Sequence, residues 1–113
     1  MSDLAQKKCV ACEGGAAPLN AIEAEVLLKQ VKNWSLSPDA KKLSKEFKFK
    51  NFADALAFVN EVGAIAEQEG HHPDISLSWG KVFIELTTHA IGGLSENDFI
   101  LAAKIDLLQA TKD

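Results

Sequence analysis

All three histidines of the chain lie in one stretch, from Glu67 to Asp98. His71 and His72 end a predicted helix, and His89 ends a predicted strand. Histidine is the side chain whose ordinary pKa is nearest to neutrality, so a cluster of imidazoles suits proton transfer at physiological pH. One predicted hairpin separates His72 from His89, so the chain can bring His89 back to the same edge of the sheet as His72. The spacing therefore predicts a site for acid–base chemistry.

The backbone around the first two histidines is predicted to be irregular. Gly70 ends the helix before them, and Pro73 keeps His72 out of the helical region. Adjacent side chains need such an irregularity to point at one target. Asp98 lies in the first turn of a predicted helix, where a carboxylate can orient an imidazole or complete the helix cap. The two roles are compatible, and the sequence leaves both open.

Other interpretations of the same residues are less favoured. Three imidazoles with one carboxylate could bind zinc, but their spacing lacks the one-face pairing of a helical metal motif, so we predict no metal. The pair Gly92-Gly93 next to a helix start is a weak phosphate-binding signal. Trp34 and Trp79 are expected in the core, although either could stack on a flat heteroaromatic ligand.

Hydrophobic periodicity and capping signals predict the elements that position these residues. Asn20 and Asn51 each precede an apolar pattern of helical spacing, and Ser95 begins a third such pattern. Alternating apolar and polar residues predict strands. The predicted elements are a helix over 21–32, strands over 34–37 and 42–50, a helix over 52–69, strands over 75–79 and 82–89 joined by a turn at Gly80-Lys81, and a helix from 95 to about 110.

This order predicts an α+β fold. Tight turns between neighbouring strands imply a four-stranded antiparallel sheet, and three helices should cover one of its faces in a two-layer sandwich (order α-β-β-α-β-β-α). We expect one domain over residues 19–113 and a flexible arm over residues 1–18. Lys45 occupies a position where the alternation along the strand predicts an apolar residue, and we therefore expect it near a sheet edge. The apolar stripe on residues 52–66, widened by Phe58 and Ile65, could be a packing surface for another subunit.

Composition limits the partners. The chain has 113 residues and a formal net charge of -4, without a long basic run, so direct binding of nucleic acid is not expected. It has no apolar run long enough to span a membrane and no signal peptide, so the cytosol is the expected compartment. Cys9 and Cys12 are interpreted as two thiols on a loose arm, although a metal site shared by two arms stays open.

The motifs together resemble the pterin-4a-carbinolamine dehydratase family. The resemblance covers about residues 19–110, and the arm with its two cysteines is similar to that of bacterial members. It is carried by Glu67, His71-His72-Pro73-Asp74, Thr88-His89, Gly92-Gly93-Leu94-Ser95 and Asp98, with Trp34, Phe47, Phe49, Asn51-Phe52, Leu101-Ala102 and Ile105-Asp106 around them.

The resemblance implies a dehydratase that converts 4a-hydroxytetrahydropterin to quinonoid dihydropterin and water, without a metal or organic cofactor. It implies that His71 and His89 are the acid–base pair, that His72 orients the pterin and that Asp98 supports His89. Residues implied to bind the substrate are Glu67, Trp34, Pro73, Asp74, Ser76 and Ser78. Ala90 and Trp79 depart from the residues usual in the family, and neither is a proposed catalytic group.

The resemblance also implies partners and alternatives. Family members assemble as dimers or tetramers and recycle the cofactor of aromatic amino acid hydroxylases, so a link to phenylalanine hydroxylase stays open. Animal members also act as dimerisation cofactors of a transcription factor. A non-enzymatic partner protein, or a dehydratase-like protein for another pterin, is therefore the alternative function.

Overall fold

The computed structural model describes residues 4–9 and 17–112. Its helices and strands follow the predicted order, and the α+β prediction is confirmed. The strands form one antiparallel sheet in the order β1-β2-β4-β3. The elements are α1 (Ala21–Leu28), β1 (Ser35–Leu36), β2 (Leu43–Lys48), α2 (Phe52–Glu69), β3 (Asp74–Ser78), β4 (Lys81–Leu86) and α3 (Glu96–Lys112), with 3₁₀ turns at Leu4–Gln6 and His89–Ile91.

The pairing register gives the sheet one apolar face. Leu43 of β2 pairs with Leu86 of β4, and Phe47 pairs with Val82. These four side chains are at most 3% exposed and form the core with the helices. Side chains of the intervening residues point to the opposite face, because neighbouring residues of a strand alternate.

The core-facing residues of α2 differ from the predicted stripe. Ala55, Phe58, Val62 and Ala66 are buried, and their spacing of three or four residues places them on one helix face. Phe58 was expected to widen the stripe, but it is fully buried between Phe47 and Phe49. Burying such a side chain stabilises the fold by roughly 1.5–3 kcal/mol.

The first helix is shorter than predicted. Asn20 and Glu23 form the expected capping box, but α1 ends at Leu28 instead of residue 32. The amide of Val31 is bonded to the carbonyl of Leu28, three residues back, which tightens the last turn. Asn33 then takes a left-handed φ of 62°, and the chain turns into β1.

Lys45 lies in β2, which pairs with β1 only at Leu43 and Ser44. Lys45 is therefore next to the point where one side of β2 becomes an open edge, which is consistent with its prediction near a sheet edge. Its side chain points to the core side of the sheet and is only 11% exposed. The Nζ atom lies 2.9 Å from Asp106 Oδ1, and the indole Nε1–H of Trp34 donates to the same oxygen at 2.9 Å. A buried cation is tolerated only with such a partner, and Asp106, on α3, supplies it.

The N-terminal residues that the structure describes are packed on the domain. Leu4 is 2% exposed and belongs to the core, and Lys104 of α3 donates to the carbonyl of Ala5 at 3.0 Å. The flexible arm over residues 1–18 stays a prediction, and residues 4–9 make these contacts with the domain. Residues 1–3 and 10–16 of the predicted arm, which include Cys12, lie outside the described residues. Residues 17 and 18 are the remaining part of the predicted arm.

The β3–β4 hairpin turns at Trp79-Gly80, one residue earlier than predicted. Gly80 has a φ of 72°, and an added Cβ would lie 3.0 Å from the Phe49 carbonyl oxygen, so a larger residue would strain the turn. Trp79 is 71% exposed, which contradicts its prediction as a core residue. Within the described ranges, no helix is long and apolar enough to cross a membrane.

Candidate active site

The site is built where the C-terminus of α2 meets the N-terminus of α3. Gly70 caps α2 in the left-handed conformation, with φ 66° and ψ 27°. Its own amide and that of His71 are both bonded to the carbonyl of Ala66. A glycine takes this conformation without a steric penalty. The cap therefore turns the chain sharply and fixes the backbone of His71.

His71 and Asp98 form a close pair. His71 Nε2 lies 2.6 Å from Asp98 Oδ1. The side chain of Asp98 is fully buried, and that of His71 is 12% exposed. A carboxylate only accepts hydrogen bonds, so Nε2 is assigned as the donor, which leaves Nδ1 of the neutral ring as an acceptor. The pair thus holds an imidazole with one fixed tautomer at the surface of the core.

The second oxygen of Asp98 is held by two donors. The hydroxyl of Thr88 donates to Asp98 Oδ2 at 2.7 Å, and the amide of Ser95 donates to it at 3.0 Å. The sequence analysis left a cap role and an imidazole-orienting role open, and Asp98 has both. Its imidazole partner is His71, however, and not His89 as the resemblance implied.

The segment after β4 is ordered by the same threonine. Thr88 and Gly93 form an isolated β-bridge, with the Thr88 amide donating to the Gly93 carbonyl at 2.8 Å. A Cβ at Gly93 would lie 2.8 Å from Pro18 Cβ, so only glycine fits there. The bend predicted over residues 90–94 thus contains a 3₁₀ turn and a bridge, which position the start of α3.

His72 has a different carboxylate partner. Its Nε2 lies 2.5 Å from Glu67 Oε2, one turn back on α2. Both side chains are largely exposed, at 60% for His72 and 78% for Glu67. The His72–Glu67 pair is therefore much more exposed to solvent than the His71–Asp98 pair.

His89 follows Thr88 directly and begins the second 3₁₀ turn. It is exposed, and its backbone carbonyl accepts from the amide of Gly92 at 3.2 Å. The sequence analysis ended a strand at His89, but β4 ends at Leu86. His89 is therefore the chain neighbour of Thr88, whose hydroxyl donates to Asp98.

The predicted substrate-binding residues of the third strand lie at the edge of the sheet. Asp74, Ser76 and Ser78 are exposed, whereas Ile75 and Leu77 between them face the core. Pro73 is half-buried and connects the histidine pair to β3. Because β3 is an edge strand, its backbone groups on one side are not paired within the sheet.

Trp34 does not belong to this cluster of polar residues. It precedes β1, at the sheet edge opposite β3, and is 5% exposed. Its indole N–H is bonded to Asp106, and its ring meets Phe47 edge-on at a centroid distance of 6.0 Å. The core interpretation of Trp34 fits these contacts, and its implied role in lining the pocket stays a prediction.

Thr88 is the residue at this site that sequence reasoning missed. It was treated as part of a motif, without a role, but it is 4% exposed and bonds Asp98. A buried threonine beside a carboxylate can be recognised only when the two segments are placed together. Among residues 4–9 and 17–112, no three histidine, cysteine, aspartate or glutamate side chains are grouped as metal ligands.

This geometry defines a class of protein, namely an antiparallel α+β sandwich with a buried histidine–aspartate pair. Residues 17–108 match the model of the pterin 4 alpha carbinolamine dehydratase family. The chain belongs to this family.

Relatives of known sequence support the assignment over most of the chain. The candidate pterin-4-alpha-carbinolamine dehydratase of Halorhodospira halophila is 54% identical, over 95% of this chain and 98% of its own. That of Methylococcus capsulatus is 52% identical, over 95% of this chain and 94% of its own.

Two solved structures share the fold. A transcriptional coactivator/pterin dehydratase from Brucella melitensis has a TM-score of 0.76 and 27% identity, over 80% of this chain and 97% of its own. A pterin dehydratase-like protein identified as a RuBisCO assembly factor in the alpha-carboxysome has a TM-score of 0.58 and 28% identity, over 67% and 88%. The family thus includes proteins described by different functions.

Proposed function

We propose that this protein dehydrates 4a-hydroxytetrahydropterin to quinonoid dihydropterin and water by histidine acid–base catalysis, and so recycles the cofactor of aromatic amino acid hydroxylases. The observation that carries the proposal is the buried His71–Asp98 pair, with His72 and His89 in the segments that flank it. Family membership supplies the substrate class.

The reaction needs two proton transfers. The 4a-hydroxyl leaves as water when an acid protonates it, and a base removes the proton of N5. His71 is suited to the base, because Asp98 holds its Nε2–H and would stabilise the imidazolium that forms when Nδ1 takes a proton. His89, which is exposed, is then assigned as the acid. His72, Glu67 and the strand residues from Asp74 to Ser78 are left to bind and orient the pterin.

The decisive experiment is turnover of freshly generated 4a-hydroxytetrahydropterin in metal-free buffer, with and without the protein. We expect acceleration above the spontaneous rate. The double variant His71→Ala, His89→Ala should lose this acceleration and keep its circular dichroism spectrum. A wild-type protein that is folded and gives no acceleration would reject the proposal, and activity in the double variant would reject the acid–base roles.

A non-enzymatic partner role is the second candidate. Phe52 and Leu56 of α2 are 43% and 40% exposed and lie on one side of the helix, away from the core-facing residues. Exposed apolar side chains of this kind favour docking of a second protein or a second copy of the chain. The two structural relatives named as a coactivator and as an assembly factor support this alternative.

Assembly as a homodimer or homotetramer belongs to the same proposal, with the α2 side chains as the contact surface. It is compatible with catalysis, because Phe52 and Leu56 lie near the N-terminus of α2 and the histidines follow its C-terminus. The cytosolic location and the link to phenylalanine hydroxylase stay predictions from the sequence and the resemblance. Purification with endogenous partners would test that link.

A further inference from the structure

The residues Leu4–Cys9, called here the N-terminal strap, lie across the junction of α2 and α3. Leu4 is buried in the core at one end of the strap. At the other end, the Cys9 amide donates to Glu69 Oε1 at 2.8 Å, and the Cys9 thiol lies 3.6 Å from the Asn97 carbonyl oxygen. The strap thus contacts the last residue of α2 and the second residue of α3.

These two contact points flank the candidate catalytic pair. Glu69 is separated from His71 only by the Gly70 cap, and Asn97 directly precedes Asp98. His71 and Asp98 are brought within hydrogen-bond distance only where the two helix ends meet. A segment that ties both ends together therefore restricts the distance between the imidazole and the carboxylate.

The hydrogen bond from the Cys9 amide to the Glu69 carboxylate, called here the tie, is charged and partly buried. The Glu69 side chain is 5% exposed, and its Oε2 lies 3.6 Å from Lys104 Nζ, which also donates to the Ala5 carbonyl in the strap. The Cys9 hydrogen bond is the main cause that lowers the pKa of Glu69. Charged hydrogen bonds of this kind are the stronger ones in proteins. By contrast, Lys7 and Glu96 are half-exposed, and such surface pairs contribute little.

We propose that the strap is a positioning segment for the His71–Asp98 pair, and that Glu69 is the positioning residue through which it acts. Glu69 does not contact the pair, so its role is to hold the turn at Gly70. The kinetic part of this inference rests on the proposed dehydratase function, whereas the geometric part rests on the His71–Asp98 contact alone.

Two substitutions remove the tie from opposite sides. Glu69→Ala removes the acceptor, and Cys9→Pro removes the N–H donor while leaving Glu69 and Lys104 in place. Cys9→Ala is the matched control, because it keeps the N–H that donates to Glu69 and loses only the weak contact of the thiol with the Asn97 carbonyl oxygen. Glu69→Gln is the conservative variant, because its amide oxygen can still accept from Cys9.

We expect kcat to fall roughly 10- to 100-fold in Glu69→Ala and Cys9→Pro, with a smaller change in KM, because a small misplacement of a catalytic group is costly. The double variant should be no worse than the single ones, since both remove one hydrogen bond. Cys9→Ala and Glu69→Gln should keep kcat within about two-fold of wild type, well inside the effect expected from misplacing the base.

The independent measurement is the imidazole Nε2 proton of His71 in NMR spectra, assigned by its loss in His71→Ala. In wild type and Cys9→Ala this proton should be downfield and protected from exchange. In Glu69→Ala and Cys9→Pro it should shift upfield or broaden. If the protein has no turnover at all, this resonance still tests the role of the strap. Failure of the dehydratase proposal can therefore be distinguished from failure of this inference.

Three results would overturn the inference. The first is a wild-type protein without a protected His71 proton. The second is unchanged kcat and an unchanged His71 resonance in both tie-removing variants, even if their melting temperatures fall, because the strap would then only cover the core. The third is an equal loss in Cys9→Ala, which would assign the effect to the thiol. Cys9→Pro keeps the test open if Glu69→Ala does not fold.

Discussion

Asp98 Oδ1 lies 2.6 Å from His71 Nε2, although the two residues belong to different helix ends and are 27 positions apart in the chain. The carboxylate is fully buried and receives hydrogen bonds on both oxygens. It is therefore preorganised: its orientation is fixed before a substrate arrives. The first prediction follows directly from this pair.

Asp98→Asn should reduce turnover by at least about 100-fold, because a carboxamide can present its NH₂ group to His71 and select the other imidazole tautomer. The shape of the side chain is kept, so the circular dichroism spectrum should not change. Steady-state kinetics on the carbinolamine substrate measure the loss. Activity within a few-fold of wild type would contradict the role given to this pair.

Thr88→Val should weaken the support of Asp98. The variant is close in shape but lacks the hydroxyl that donates to Asp98 Oδ2, so a buried acceptor loses one donor. We expect the free energy of unfolding to fall by roughly 1–3 kcal/mol, together with a loss of turnover. Chemical denaturation and kinetics measure the two effects. Thr88→Ser keeps a hydroxyl and should restore most of both, and failure of this rescue would assign the effect to the lost methyl group.

Trp34→Phe separates the core interpretation from a substrate-binding role. The variant loses the N–H that donates to Asp106, and we expect a loss of roughly 1.5–3 kcal/mol in the free energy of unfolding, as for a hydrogen bond to a charged group. Because Trp34 lies at the sheet edge opposite β3, KM for the pterin should stay unchanged. A raised KM with unchanged stability would restore its role in the pocket.

Acid should release the N-terminal strap. The folded pKa of Glu69 lies below its unfolded value of about 4.3, so the stabilisation is fully present above that value and is lost as the pH falls through the folded pKa. The Cys9 amide proton should report this titration in NMR spectra, with a midpoint below the ordinary pKa of a glutamate. A midpoint at or above the ordinary glutamate pKa would contradict this role of the Cys9–Glu69 hydrogen bond.

Leu56→Glu should weaken self-association, because a charge on the exposed side of α2 would have to be buried in the interface. Sedimentation velocity measures the change. Ile22→Glu is the matched control, since Ile22 is an exposed apolar residue of α1 at 75% exposure. A monomeric wild type, or an equal effect of the two substitutions, would reject α2 as the contact surface.

The sequence by itself determined the elements and the histidine segments. Asn20 and Asn51 cap helices as predicted, the alternating residues form the β3–β4 hairpin, and Gly70 with Pro73 predicts the turn that carries His71 and His72. These signals are local, because capping, alternation and glycine conformations depend on neighbouring residues. The combination of family motifs could likewise be recognised from the sequence alone.

Only the tertiary structure decided which groups meet. Asp98 pairs with His71 and not with His89, Lys45 is buried because Asp106 of a distant helix neutralises it, and Trp34 donates to the same carboxylate. Leu4 packs into the core although the residues after it show no periodicity. Each of these contacts joins segments far apart in the chain, and its energy depends on burial and distance, which a linear pattern does not contain.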